Sequence, residues 1–221
     1  MVKWNNIDFS TKGIVVEKTP TISKGKKNIE TFTIEGRNGF LSVDRGTYQP
    51  FSLQVECHAK EDADFDQIKA FLDGYGTLTF DGLREYTAIV NNAIPFEKVQ
   101  MFKSFAVQFM VNPIAHDITP TTITPSSSFS ITGATADMYP TLTITAAAGG
   151  CEVDINGVIF ATTNEEAKTY TLDCENKIIT SNSLNASSEM IGEFPYFKAG
   201  TNTYSGTGVT SISASYKKAY L

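Results

Sequence analysis

The sequence predicts a mainly β protein with two domains: an N-terminal β-sandwich or barrel-like domain with one short helix, and a C-terminal β-sandwich. Short runs in which apolar and polar residues alternate recur along the whole chain, and this period of two is typical of half-buried strands. The length of 221 residues suits two domains of about 100 residues better than one. The composition changes across residues 114–140, which are rich in Thr, Ser and Pro. We therefore predict domains at 1–119 and 120–221.

Residues 34–57 organise the first half of the chain, and they predict two strands joined by a turn-rich middle. Asn38-Gly39 is a strong tight-turn signal within that middle, because both residue types tolerate positive φ. The following run predicts a strand with one buried face, formed by Phe51, Leu53, Val55 and Cys57. Earlier strands are predicted at Gly13–Lys18 and Asn28–Glu35. The loop Lys24–Lys27 between them is either a solvated turn or a contact to an acidic neighbouring subunit.

The segment Glu61–Asp73 allows two interpretations, a calcium loop or a helix. Its acidic residues imitate the start of a calcium loop, but the sixth position, which requires glycine, holds Gln67. Its apolar residues recur on one helical face, at Phe65, Ile68, Phe71 and Leu72. Gly74 follows where a helix C-terminus favours positive φ. We therefore predict a helix over Asp64–Asp73 and no calcium site.

The remaining segments are predicted to be strands on either side of the domain boundary. In the first domain they are Thr77–Phe80, Glu85–Val90 and Lys98–Val111, the last of which Pro113 is expected to end. Residues 114–140 are interpreted as a linker plus an entering strand, with the boundary near Asp117–Thr124. In the second domain, Asn156-Gly157 predicts a hairpin turn. The strands of that domain are predicted at residues 141–146, 151–155, 158–160, 170–174 and 212–216.

Charge and composition argue against several classes of protein. The net charge is −6 and the sequence has no basic cluster, so we expect no specific binding to nucleic acid. No run of 18 apolar residues exists and the N-terminus has no apolar core of a signal peptide, so no membrane span and no secretory signal are expected. None of the three cysteines has CxxC spacing, and Cys57 lies on an apolar strand face as a core residue would.

No arrangement of residues in the sequence indicates catalysis or cofactor binding. The two histidines, His58 and His116, have no second His or Cys at metal-binding spacing, and neither a nucleophile elbow nor a P-loop is present. Two of the carboxylates Asp81, Asp173 and Glu175, if they lie on neighbouring strands, could act as the catalytic pair of a glycosidase. A chain with 24 acidic residues offers many such pairs, however. We therefore predict a protein that is not an enzyme, with no catalytic, cofactor or metal site.

Several segments carry a resemblance to a known family. The segments IEGRNG, TYQPFSLQVEC, FLDGYGTLTF and FAVQFMVNP resemble the N-terminal domain of the distal tail proteins of long-tailed phages that infect Gram-positive bacteria. The segments YPTLTI, CEVDINGVIF, TYTLDCENKII and GEFPYFKAGTNTYS resemble the C-terminal domain of that family, a galectin-like jelly roll. Together the two resemblances extend from Trp4 to Tyr216.

The resemblance implies a structural part of a phage or prophage tail. A distal tail protein forms a hexameric ring at the tip of a non-contractile tail, which is assembled in the cytoplasm of the host. Its ring joins the tail tube to the tail-associated lysin or adhesion protein, and tape-measure and receptor-binding proteins are further candidate neighbours. The first domain is expected to build the ring, while the second lies outside it.

Two alternatives to a tail-tip hub remain open from the sequence: a carbohydrate-binding module for host recognition, and a tail-tube or capsid-type structural protein. A cleft lined by Trp or Tyr in the second domain would favour the first alternative. Sugar-binding galectins use Trp, His, Asn and Arg, but here the single Trp is Trp4, the last His is His116 and the last Arg is Arg84. The galectin resemblance is therefore one of fold, and fold alone does not carry an activity.

Overall fold

The structure is a computed structural model that describes residues 2–80, 82–94 and 103–221. It divides into two compact units, one reaching from the N-terminus to His116 and including Leu221, the other comprising Asp117–Tyr220. Both units are built from strands, and the predicted mainly β class is confirmed. The finer expectation, that domains 1–119 and 120–221 are independent, stays a prediction.

The first unit contains nine strands and the one α-helix of the described residues. The strands and helix are β1 (Lys3–Trp4), β2 (Ile7–Asp8), β3 (Ile14–Val16), β4 (Lys27–Phe32), β5 (Leu41–Tyr48), β6 (Phe51–Ala59), α1 (Phe65–Phe71), β7 (Tyr75–Thr79), β8 (Arg84–Val90) and β9 (Lys103–Asp117). A 3-10 helix, Phe9–Lys12, links β2 to β3. Seven of the strands form a sheet in the order β2-β1-β7-β8-β9-β6-β3, whereas β4 and β5 form a separate two-stranded sheet.

The core of the first unit lies against the central strands β6 and β9. These strands pair antiparallel, with Leu53 opposite Phe109 and Val55 opposite Val107, and all four side chains are buried. The indole ring of Trp4 lies 5.2 Å from the ring of Phe109 and is fully buried. The period-two pattern of residues 51–57 therefore predicted both the strand and its buried face.

Helix α1 is confirmed, but it covers Phe65–Phe71 and is shorter than the predicted Asp64–Asp73. The Asp64 carboxylate accepts hydrogen bonds from the backbone amides of Asp66 (3.0 Å) and Gln67 (3.3 Å), which makes it the N-cap. Ile68 and Leu72 are buried in the core of the sheet, and Gly74 has a φ of +72°. Asp64, one of the acidic residues that resemble the ligands of a calcium loop, therefore acts as the N-cap of the helix.

The predicted tight turn at Asn38-Gly39 is wrong. The turn-rich middle of residues 34–57 contains an eight-residue strand, β5, and eight residues, 33–40, connect it to β4. Gly39 has a φ of +88°, but Asn38 is not among the residues with positive φ, so the pair is no two-residue hairpin turn. The tight turn lies earlier, where the Arg37 amide donates to the Ile34 carbonyl across Gly36, whose φ is +80°.

Replacing Gly39 with valine is expected to weaken the pairing of β4 with β5 locally. No atom lies within 4 Å of the position of an added Cβ, but the φ of +88° strains any branched residue, at a cost of at least about 1 kcal/mol. Hydrogen exchange of the β4 and β5 amides should therefore become roughly five times faster. Asn38→Val is the matched control, and equal exchange in the two variants would contradict the assignment.

The strand that ends the first unit runs past Pro113, where the sequence predicted its end. The pairing of β9 with β6 stops at Val111, so the missing N–H of Pro113 falls outside that ladder and breaks none of its hydrogen bonds. Residues 98–102 of the predicted strand lie outside the described residues. The predicted linker after Pro113 also contains strands, because β9 reaches Asp117 and two further strands follow before Met138.

The second unit is a sandwich of two antiparallel sheets. Its strands are β10 (Thr121–Ile123), β11 (Ser128–Ile131), β12 (Thr141–Ala146), β13 (Glu152–Ile155), β14 (Val158–Thr162), β15 (Lys168–Asp173), β16 (Ile178–Ser181), β17 (Leu184–Asn185), β18 (Met190–Gly192), β19 (Gly200–Thr207), β20 (Val209–Tyr216) and β21 (Ala219–Tyr220). One sheet has the order β10-β20-β12-β15-β16-β17 and the other β11-β19-β13-β14-β18. A 3-10 helix, Ser187–Glu189, precedes β18.

A fully buried phenylalanine, Phe197, joins the two sheets of the sandwich. Its ring makes edge contacts with Phe129 of β11 (5.1 Å) and with Tyr216 of β20 (5.5 Å), which belong to different sheets. The predicted hairpin at Asn156-Gly157 is confirmed, because both residues have positive φ and Ile155 pairs with Val158. The Asp154 carboxylate accepts from the Gly157 amide at 2.7 Å and supports this turn.

Candidate assembly surface

The β4–β5 hairpin, residues 27–48, is the part of the first unit that pairs with no other strand among the described residues. Its two strands pair with each other alone, so each leaves an unpaired edge. Apart from Asn28 and Tyr48, every residue of the two strands is exposed. A two-stranded sheet of this kind is at best marginally stable by itself in water. The hairpin is therefore the first candidate for a surface that another molecule covers.

The hairpin carries apolar side chains on a surface exposed to water. Antiparallel pairing places Phe32, Leu41 and Val43 on one face, where they are 50%, 42% and 47% exposed. The connecting loop adds Ile34 and Phe40, the latter 70% exposed. Contiguous apolar side chains of this size are typical of interaction sites on soluble proteins. Covering them would contribute favourable burial that the single chain does not have.

Polar pairs hold the base of the hairpin in register. Arg45 Nη2 donates to both carboxylate oxygens of Glu30 at 2.7 Å, and Lys27 Nζ donates to Asp44 Oδ2 at 2.5 Å. The hydrogen bond from Lys27 holds the pKa of the Asp44 carboxyl below its ordinary value. Exposed ion pairs of this kind contribute little to stability individually. They fix the register of the strands and leave the apolar residues as the main source of binding energy.

Residues 24–48, which comprise the hairpin and the lysine-rich loop before it, carry a charge opposite to that of the rest of the chain, although the hairpin itself (residues 27–48) is neutral. Residues 24–48 hold five cationic and three acidic side chains and carry a net charge of +2, whereas the whole chain carries −6. All other residues together therefore carry −8. The loop Lys24–Lys27 is part of this basic region; Lys24 and Lys27 both lie over the ring of Tyr48. A basic loop on an acidic molecule has a complementary surface available on a second copy.

The polar residues weighed as catalytic candidates have structural surroundings. Nδ1 of His58 lies 3.4 Å from the Glu17 carboxylate across the β3–β6 pair, and His116 lies in β9. The Asp173 carboxylate accepts from the amides of Glu175 and Asn176 and so shapes the turn after β15. Asp81 lies outside the described residues. Across residues 2–80, 82–94 and 103–221, no group of three His, Cys, Asp or Glu side chains could hold a metal ion.

The three cysteines are free, buried thiols. Burial raises the pKa of Cys57 and of Cys174 to about 12. Burial also raises the pKa of Cys151, whose sulfur lies 3.4 Å from the Thr162 hydroxyl. Because a thiol acts as nucleophile or metal ligand only as a thiolate, these thiols are unreactive at neutral pH.

A cleft of about 540 Å³ in the second unit is lined by Lys168 and Glu189, among others. Lys168 Nζ donates to the Glu189 carboxylate at 2.6 Å, and the hydroxyl of Tyr170 donates to the same carboxylate. Burial is the largest cause that raises the pKa of this tyrosine, and the hydrogen bond to Glu189 raises it further. The polar groups satisfy one another, and the arrangement anchors the 3-10 helix to β15.

In the described part of the chain, no helix is long and apolar enough to cross a membrane.

The architecture is similar to that of proteins from phage adsorption and baseplate assemblies. Over the whole chain, the structure superimposes on the Dit (gp 19.1) protein of phage SPP1, described as a paradigm of the hub adsorption apparatus of phages that infect Gram-positive bacteria. The TM-score is 0.79 and the identity 15%, with 100% of this chain and 98% of that chain covered. A chain of the phage p2 baseplate in its activated conformation matches with a TM-score of 0.54 and 8% identity, covering 98% of this chain and 96% of that one.

These comparisons confirm at the level of the fold the predicted resemblance to distal tail proteins. No protein-family model matches the chain, and no curated protein matches it in sequence. Both structural neighbours are parts of phage adsorption or baseplate assemblies. At this level of identity, the shared fold does not by itself establish partners or oligomeric state.

Sequence analysis missed the hairpin as a functional surface. It treated most of residues 34–50 as a turn-rich middle, because Gly36, Gly39 and Gly46 interrupt the apolar alternation. Leu41 and Val43 follow the period of a strand, and this alternation could have revealed β5. The buried residues of the sheet form the core without these two side chains.

Proposed function

We propose that this protein is the hub of a long non-contractile phage tail tip, where six copies form a closed ring through the hairpin. The observation that carries the proposal is an exposed apolar hairpin with two unpaired strand edges, preceded by a basic loop on an otherwise acidic chain. Strand edges pair readily with strands of other chains, and repeated head-to-tail contacts close into a ring when the rotation per subunit fits.

The ring serves as a connector. One side of it meets the tail tube and the other meets the tail-associated lysin or adhesion protein, with tape-measure and receptor-binding proteins as further neighbours. The protein contributes geometry and a channel, and no covalent step. Its place is the tail tip of the virion, after assembly in the cytoplasm of the host. The fold shared with the Dit protein of phage SPP1 supports this assignment.

Electron microscopy and native mass spectrometry of the full chain test the proposal directly. We expect rings with sixfold symmetry and a mass of about 145 kDa, six times the 24.1 kDa of one chain. Stacks that extend without limit would instead favour the tail-tube alternative. A chain that stays monomeric at high protein concentration would contradict both.

The truncation to residues 1–119 is expected to keep the ring, and residues 120–221 alone are expected to be a folded monomer. The hairpin lies in the first unit, and contacts that hold a permanent ring bury on the order of 2,000 Å² or more, an area that a domain of this size can offer. Size-exclusion chromatography with light scattering measures both pieces. If the first piece stays monomeric under conditions where the full chain assembles, the second domain must contribute to the ring.

Duplex DNA is not expected to bind to the assembled protein. Six copies with a net charge of −6 carry −36 together, and this charge repels phosphate overall. A gel-shift measurement at physiological salt should show free duplex at low micromolar protein. A retarded band under these conditions would contradict a channel that lets a genome pass.

A further inference from the structure

The second unit carries a surface cluster of aromatic rings and lysines, here called the aromatic platform, in which Tyr139, Lys177 and Lys198 are exposed while Phe194 and Tyr196 are half-buried. Tyr139 is 49% exposed, and its ring centroid lies 6.2 Å from that of Tyr196 at an angle of 45°. Lys177 Nζ lies 5.2 Å from the Tyr139 ring and 5.5 Å from the Phe194 ring. Lys198 Nζ lies 5.7 Å from the Tyr196 ring. The five side chains are thus contiguous.

Backbone pairing explains why the two tyrosines point outward together. Met138 and Phe197 form an antiparallel bridge with two backbone hydrogen bonds of 2.8 Å, and both side chains are buried in the sandwich. Successive side chains of an extended segment point to opposite sides. The next residue after Met138 and the residue before Phe197 therefore face away from the core, and these are Tyr139 and Tyr196.

Buried amides hold the platform in place. Asn202 is fully buried; its side-chain oxygen accepts from the Lys198 amide at 2.8 Å and its nitrogen donates to the Lys198 carbonyl at 2.9 Å. Asn156 Nδ2 donates to the Tyr196 carbonyl at 3.1 Å and to Asn202 Oδ1 at 2.8 Å. Asn156 itself is fixed by the hairpin turn that it forms. A surface whose backbone is fixed in this way loses little conformational entropy when it binds a ligand.

The two lysines are available to a ligand. Both ammonium groups are exposed, and neither forms an ion pair among the described residues. The chain as a whole is acidic, so two unpaired cations beside three aromatic rings form a local exception. Aromatic faces can pack on the C–H faces of sugar rings, while lysine binds carboxylate or phosphate as a point charge. The combination fits a glycan that carries anionic groups.

Nearby carboxylates restrict the charge density of that glycan. Glu175 lies in the turn that precedes Lys177, Glu193 is adjacent to Phe194, and both are exposed. These carboxylates repel a polymer with a charge on every unit, such as nucleic acid. A glycan in which neutral sugars separate the anionic groups places its charges on the lysines and avoids these carboxylates.

We propose that the aromatic platform of the second unit binds glycans whose carboxylate or phosphodiester groups are spaced by neutral sugars. This site is separate from the hairpin and does not depend on the ring. It uses residues that differ from the Trp, His and Arg of sugar-binding galectins.

The test uses the full chain and chemically defined probes, with binding measured by isothermal titration calorimetry and saturation-transfer NMR. A hyaluronan decasaccharide offers one carboxylate for every two sugars, and oligomers of poly(ribosylribitol phosphate) offer one phosphodiester per repeat. Chitopentaose is the neutral probe and a heparin decasaccharide the densely charged one. We expect at least one of the two spaced-charge probes to bind about ten times more tightly than either comparison probe.

Variants decide whether the platform is the site. Tyr139→Ala and Lys177→Gln should each weaken binding about tenfold, and Lys177→Gln should also reduce its salt dependence. Tyr139→Phe keeps the ring and should retain affinity, which separates stacking from misfolding. Tyr75→Ala and Lys60→Gln are matched controls in the first unit and should have no effect. The proposal is overturned if neither spaced-charge probe binds at millimolar concentration, if heparin or chitopentaose binds as tightly, or if Tyr139→Ala binds normally.

Discussion

Replacing Phe32 with aspartate is expected to convert the ring into monomers without unfolding the chain. Phe32 is half exposed on a hairpin that pairs with no other strand among the described residues, so the single chain loses little when its side chain becomes polar. In the proposed ring a neighbouring copy would cover the same position, and an unpaired carboxylate buried there would cost several kcal/mol at each of six interfaces. The mass measured by light scattering should therefore fall from about 145 kDa to the 24.1 kDa of one chain.

The matched control for this change is Leu184→Asp. Leu184 is 73% exposed in the second unit, so the substitution adds the same charge at an exposed apolar residue away from the hairpin. The Leu184 variant should assemble as the unmodified chain does, and the circular dichroism spectra of both variants should match it. Assembly of the Phe32 variant into intact rings would show that the hairpin is not the contact and would require another surface for the proposed hub.

Replacing Phe197 with alanine should destabilise the second unit by about 3–5 kcal/mol, because it removes a fully buried ring that contacts both sheets. For a domain of this size, the melting temperature should fall by at least roughly 10 °C. Trp4, the single tryptophan, lies in the core of the first unit. Its fluorescence reports on the first unit, whereas far-ultraviolet circular dichroism reports on both.

The two signals make the experiment a test of the domain division. In Phe197→Ala, the Trp4 fluorescence transition should stay in place while part of the circular dichroism transition moves to lower temperature. Phe109→Ala is the reciprocal variant: the loss of its contact with Trp4 should move the fluorescence transition. If both signals move together in both variants, the two parts of the chain unfold as one and the predicted division at residue 119 is wrong.

Sequence reasoning succeeded where local pattern and burial agree. Residues 141–146 alternate strictly, and Leu142 and Ile144 are fully buried in the strand that the alternation predicts. The turn at Asn156-Gly157 needs only the backbone preferences of two residues, and the structure realises them. The helix over Phe65–Phe71 combines an apolar face with a capping aspartate, so several independent signals coincide.

The failures fall where the decisive partner is distant in the sequence or lies outside the single chain. Strand β5 has no buried face, so its apolar residues gave no clear core pattern and its glycines suggested turns. Pro113 was taken as a strand end because its effect depends on where the ladder with β6 stops. The aromatic platform combines residues 139, 177 and 194–198, which only the folded sandwich brings together.

Because its three thiols are free and buried, the fold does not depend on whether its surroundings are reducing or oxidising. At pH 8, a thiol with a pKa of about 12 is ionised to a fraction on the order of 10⁻⁴. Burial also keeps oxidants away from all three sulfur atoms. A protein with this property can fold in a reducing cell and persist in aerated medium without a change at its cysteines.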